Sequence, residues 1–153
     1  MNVIGFNFNK IFVERKDISE ESLRDIKIKS NISIKNIEPL DFSIKKENST
    51  LSIKFEFLVE YEPDFAKIIL EGNVMVSLPE KISSEVLSKW NKKEKEFDEK
   101  LRIPLFNFII AKCNIKSLQL EDELNLPLHL PFPKISPKNK DSNKNNSTST
   151  YTG

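Results

Sequence analysis

Glycine is scarce in this chain: Gly5, Gly72 and Gly153 are the only three in 153 residues. No glycine-rich loop can therefore cradle a phosphate, which excludes the nucleotide-binding motifs built on such a loop. Cysteine and histidine occur once each, as Cys113 and His129. A lone cysteine excludes an internal disulfide and a multi-cysteine metal site, and a lone histidine excludes a histidine-based one. Glu121-Asp122-Glu123 reads as a solvated cluster or a helix cap rather than a cation site, so no cofactor or metal is expected. No apolar run approaches the roughly 20 residues that span a bilayer. Met1-Asn2-Val3-Ile4-Gly5 has neither the basic start nor the apolar core of a signal peptide. The expectation is a soluble, cytoplasmic chain with no membrane insertion, in which Asn48-Ser49-Thr50 carries no glycosylation meaning. Lys and Arg number 24 against 23 Asp and Glu, a net charge of +1, so no global field gathers nucleic acid.

What the chain does have is alternation. From Leu51 to Tyr61 every odd residue is apolar (Leu51, Ile53, Phe55, Phe57, Val59, Tyr61), and apart from Leu58 the residues between are polar or charged. A helix repeats every 3.6 residues and cannot satisfy that period of two, so this is a strand. At 3.4 Å per residue it would span roughly 37 Å, about twice the usual length. After Glu62-Pro63-Asp64 a second run follows, with Ala66, Ile68, Leu70, Val74, Met75, Val76 and Leu78, ending near Pro79. The two form a long antiparallel hairpin with one apolar and one wet face. On the wet face, acidic residues interleave with the lysines, as in Lys54-Phe55-Glu56-Phe57, which argues against a phosphate-binding stripe. Upstream, Ile4, Phe6 and Phe8 alternate and then slip phase through Ile11, Phe12 and Val13, predicting a first strand with a bulge. Asp17 to Asp25 is polar and predicts a helical turn capped by Asp17 or Ser19. Alternation at Ile26, Ile28, Ile32 and Ile34, then Leu40, Phe42 and Ile44, predicts a second strand interrupted near Ser30-Asn31 or Pro39.

Beyond Pro79 the pattern turns helical. Ser83-Ser84-Glu85 reads as a helix start, followed by Val86, Leu87 and Trp90 at helical spacing, with Trp90 a core or interface anchor. The stretch from Asn91 to Lys100 is almost wholly charged, a solvated helix or a loop. Leu101, Leu105, Phe108, Ile109 and Lys112 mark one face of a further helix, with Phe106, Ile110 and Cys113 on another, predicting burial on both sides. Pro104 fits that helix's first turn. From Leu118, and above all from Leu126 to Pro133, apolar residues alternate with prolines at 127, 131 and 133, so an extended, irregular segment is expected. Residues 1–135 form the expected single domain, and 136–153 a disordered polar tail rich in Lys, Asn, Ser and Thr.

No catalytic constellation emerges, and the chain is not expected to be an enzyme. A Cys113–His129 nucleophilic pair is allowed by residue type, yet the expectation is a buried structural cysteine and an incidental histidine. What remains is surplus apolar surface. Four strands make a sheet roughly 19 Å wide, while one helix covers about 10 Å. The segment from Leu126 to Phe132 either packs down as a cover for the core, or walls an open apolar groove or a contact with another subunit.

The order of these elements resembles the SecB protein-export chaperone family, and small archaeal SecB-like proteins most of all. The segments carrying the resemblance are Phe6-Asn7-Phe8-Asn9-Lys10-Ile11-Phe12, Phe55 to Pro63, and Ile103-Pro104-Leu105-Phe106 running on to Leu126-Pro127-Leu128. It implies an α+β fold in which a four-stranded long antiparallel sheet carries C-terminal helices on one face. It also implies a homotetramer, a dimer of dimers, that holds unfolded polypeptides in apolar grooves, with a link to protein export. Carried onto this chain, the groove walls would be Ile18 and Leu23, then Phe42 and Ile44, then Leu126, Leu128, Leu130 and Phe132. The chain departs from the family in the charged connection Asp17 to Asp25, where the family places aromatics. Its body is also only slightly acidic, whereas bacterial members dock the export motor through strong acidity. The alternative reading is a dedicated interaction module on the same fold, guarding one labile partner in the manner of a toxin–antitoxin chaperone.

Overall fold

Strict alternation gives strand β3 (Asn48–Glu62) two different faces, and every other element is arranged around that difference. The computed structural model describes residues 1–42, 46–94 and 98–137. Strands β1 (Asn2–Arg15), β2 (Lys27–Leu40), β3 and β4 (Ala66–Pro79) form one antiparallel sheet in the order β1-β4-β3-β2. Helix α1 (Glu20–Leu23) lies between β1 and β2, and helices α2 (Glu80–Asn91) and α3 (Glu99–Glu123) follow the sheet. The fold is α+β, with the helices on the apolar face.

The inner face carries Leu51, Ile53, Phe55, Phe57, Val59 and Tyr61 of β3, with Ile68, Leu70, Val74, Val76 and Leu78 of β4, all at most 3% exposed. The outer face is mostly polar apart from the register row Phe12, Ile69 and Leu58, and ion pairs such as Lys54–Glu38 (3.3 Å) and Lys10–Glu71 (3.6 Å) join neighbouring strands there. Both edge strands slip register where one extra residue is accommodated. The slips in β1 fall between Val3 and Gly5 and between Phe8 and Lys10, just before the phase change the sequence shows. That in β2 falls between Ile34 and Asn36, not at Ser30-Asn31 or Pro39. Pro39 stays within the strand because β2 is an edge, where a missing N–H costs no ladder bond.

The predicted polar turn is α1, capped by Ser19, whose hydroxyl accepts from the Ser22 N–H. Helix α2 starts at Glu80, earlier than Ser83. Helix α3 differs more from expectation. Its N-cap is Asp98, whose carboxylate accepts from the Lys100 N–H, so Pro104 falls in the second turn, not the first. The carbonyl of Lys100 thereby loses its intrahelical partner, but both residues are exposed and water can serve it. At the other end α3 runs to Glu123, well past Leu118, because the prolines constrain the backbone only from Leu126 onward. The helix stops in a Schellman turn: Leu126 N–H donates to Glu121 O (2.9 Å), and Asn125, at φ 50°, donates to Asp122 O (3.4 Å).

Burial on α3 follows one row, Leu101, Leu105, Ile109, Cys113 and Ser117, each four residues after the last. The expectation of burial on both sides fails, since Ile103 and Ile115 on the outward row are 54% and 60% exposed.

Candidate polypeptide-binding groove

The sheet is wider than α3, and the space beside the helix is left open on the β2 side. There a cavity of about 520 Å³ is lined by Ile32 and Ile34 of β2, Trp90 of α2, and Arg102, Ile103 and Phe106 of α3. The β2 residues are those that alternation turns inward, opposite Phe57 and Phe55 in the register. Phe106 follows Leu105 on α3, about 100° round the helix from it, and is half-buried at the rim of the core. β2 is also a sheet edge: it pairs with β3 on one side, and its other side offers backbone donors and acceptors beside the apolar floor.

Farther along α3, the segment after the helix is held by a buried polar cluster. Glu121 is fully buried, and its Oε1 accepts from the Tyr61 hydroxyl (2.7 Å), from His129 Nδ1 (2.6 Å) and from the His129 backbone N–H (3.3 Å). His129 Nε2 lies 3.0 Å from Asn114 Oδ1, and the imidazole packs edge-on against Phe57, which is the register partner of Ile32. Burial, and then the hydrogen bond to Glu121, push the Tyr61 phenol well above its ordinary value, so it remains a donor. The incidental histidine expected from sequence is corrected here, and of the acidic cluster Asp122 and Glu123 are exposed as expected while Glu121 is not. His129 is the plug that ties the segment down, and Glu121 is its socket. Only the i, i+4 spacing of Glu121 from Ser117 on the buried row could have signalled this, and three acidic residues together masked it.

The residues expected to wall a groove are placed unequally. Leu126 is 5% exposed and belongs to the core, because the Schellman turn folds it back against α3. Leu128, Leu130 and Phe132 stay 42%, 36% and 55% exposed. Phe42 is exposed past the end of β2, Leu23 is exposed on α1, and Ile18 is half-buried against the core, so these three do not line the cavity. Ile44 lies outside the described residues. The lining instead comes from Ile32, Ile34, Trp90, Ile103 and Phe106, whose apolar periodicity the sequence displays without saying which face stays open.

Cys113 is fully buried, and burial pushes its thiol up to about 12, opposite to the depressed value an activated nucleophile needs. Among the described residues, no three His, Cys, Asp or Glu side chains gather in a way that could hold a metal ion. No described helix is long and apolar enough to cross a membrane.

No protein-family model matches the chain. No curated protein matches it either. Among solved structures it is similar to the SecB-like chaperone of Mycobacterium tuberculosis, solved in complex with a ChAD peptide from the HigA1 antitoxin. That similarity covers 90% of this chain and 91% of the other, at 10% sequence identity and a TM-score of 0.45.

Proposed function

We propose that this chain is a chaperone that holds non-native polypeptides, binding extended apolar stretches in the groove between α3 and the edge of β2. The observation that carries this reading is the juxtaposition of an open apolar floor (Ile32, Ile34, Phe106) with a strand edge left unpaired among the described residues. An extended segment laid there pairs its backbone with β2 regardless of sequence and buries alternate side chains against the floor. Burying on the order of 400 Å² of apolar client surface at roughly 25 cal/mol per Å² gives about 10 kcal/mol before ordering costs. Held clients need no covalent chemistry. The working form is a cytoplasmic homotetramer, a dimer of dimers, with service to protein export as one use of the holding activity.

The test is suppression of aggregation by the purified full chain acting on a chemically denatured protein. The wild-type chain should suppress aggregation at near-equimolar ratio. Ile103→Asp, and the pair Leu128→Asp with Leu130→Asp, should each weaken suppression about tenfold, since each puts a charge where an apolar client group would be buried. All three sites are exposed, so the fold should survive. A wild-type chain that suppresses nothing removes the reading. Tight binding of one co-purifying partner, with indifference to unfolded chains, would establish the dedicated-partner alternative in its place.

A further inference from the structure

The segment after α3 is held in an unexpected way. Were it a simple cover, its leucines and Phe132 would be driven into the core and would themselves be the attachment. Instead only Leu126 enters the core, Leu128, Leu130 and Phe132 are left in contact with solvent, and beyond Leu126 polar groups do the holding. The attachment begins at the Schellman turn, where the Arg15 guanidinium donates to the Leu124 and Asn125 carbonyls (2.6 and 3.0 Å) and sits over the Phe65 ring. It ends at His129, whose side chain is 1% exposed and whose ring and backbone both donate to Glu121. Asn114 can serve the other ring nitrogen in either charge state by turning its amide over. Between and beyond these anchors Pro127, Pro131 and Pro133 fix their own φ and restrict the residue before each. Asn114 lies eight residues, or about 12 Å along the helix axis, beyond Phe106, so the plug sits farther along α3 than the groove.

We propose that His129 is a positioning residue: seated in the Glu121–Tyr61–Asn114 socket, it locks the segment as a fixed wall that presents Leu128, Leu130 and Phe132 in one preset array, which does not move when a polypeptide binds. The use of the array rests on the groove reading above, whereas the lock does not. Preorganisation is the benefit, because apolar groups already held in place lose no freedom on binding a client.

His129 is the sole histidine, so its imidazole gives one set of NMR signals in the full chain. The Nδ1 proton should exchange slowly, and the ring signals should not shift when the chain is saturated with a reduced, carboxymethylated protein that cannot fold. In His129→Ala, amide exchange over residues 126–132 should rise at least tenfold while exchange in β3 and β4 stays within threefold, and client affinity should fall about tenfold. His129→Gln, which keeps a donor for Glu121, should restore most of the protection and the affinity. Ring signals that move on client binding would overturn the fixed wall, as would unchanged exchange in His129→Ala. Should that variant fail to fold, the wild-type signals and the glutamine variant decide. Slow exchange of the segment in a wild-type chain that binds no client would uphold the lock and remove the groove reading alone.

Discussion

Gly72 is buried at the centre of the sheet, where a glycine interior to a strand needs a reason. Its reason is aromatic. Phe8 pairs across from it on β1 and Phe55 on β3, and the rings of Phe6 and Phe55 stack with centroids 5.5 Å apart. A Cβ at position 72 would overlap the Asn7 carbonyl oxygen and lie 2.8 Å from Phe55 Cζ. Gly72→Ala should therefore cost about 1–3 kcal/mol through overpacking, read as a lower urea midpoint at unchanged slope. Cys113 supplies a second prediction. An unfolded thiol loses its proton near 9.0, while the buried one holds it to about 12. Between those values the folded state binds more protons than the unfolded state, so stability is intact below 9.0 and falls by about 1.4 kcal/mol per pH unit as pH rises through the window. Tyr61, also raised, adds to the same alkaline loss. Cys113→Ala should flatten the curve over that range, and thiol reagents should label the native wild type at neutral pH only as fast as it unfolds. The sequence named both residues but gave neither its reason, since a ring stack and a burial depth are properties of neighbours distant in the chain.

At the scale of elements, the strands were legible and the helix ends were not. Period-two runs located β3 and β4 to within a few residues, because an element buried on one face must alternate. The slip after Phe8 in β1 falls where the sequence phase breaks, whereas that in β2 lies a few residues from either expected place, since a bulge can be absorbed at several positions of an edge strand. Helix α3 runs past Leu118 because the apolar and acidic residues there precede the prolines and are free to stay helical. Asn125 is the signal that was available: it takes the left-handed conformation that ends a helix. Asn125→Ala should cost about 1 kcal/mol, since alanine tolerates that φ worse than asparagine. The change should lower the melting temperature by a few degrees and loosen Leu126 with it.

For the whole molecule, the balance between apolar surface and cover decides behaviour. One helix row closes the sheet, and the outward row of α3 keeps Ile103 and Ile115 in solvent. If copies of the chain assemble through such surplus surface, a mass measurement in solution gives a multiple of 17.7 kDa, with a tetramer as the expected value. Ile115→Lys should shift that mass downward while leaving the melting curve of the separated chain within about 0.5 kcal/mol, because an exposed residue contributes little to its own fold. An unchanged mass would place the contact elsewhere on the surface.

Alternation, proline placement and the scarcity of glycine, cysteine and histidine determined by themselves an antiparallel sheet, helices after it, an irregular segment past Leu126 and the absence of the motifs of phosphate and metal chemistry. Those are local properties, set by which side chains a strand or helix can place on one face. Only the tertiary structure decided which apolar face stays open, that Leu126 closes the core while Leu128 does not, and that Glu121 and His129 meet beneath α3. The physical reason is that burial depends on the crossing of α3 over a sheet wider than itself. A shift of that helix by one flank would leave the sequence pattern intact and move the groove.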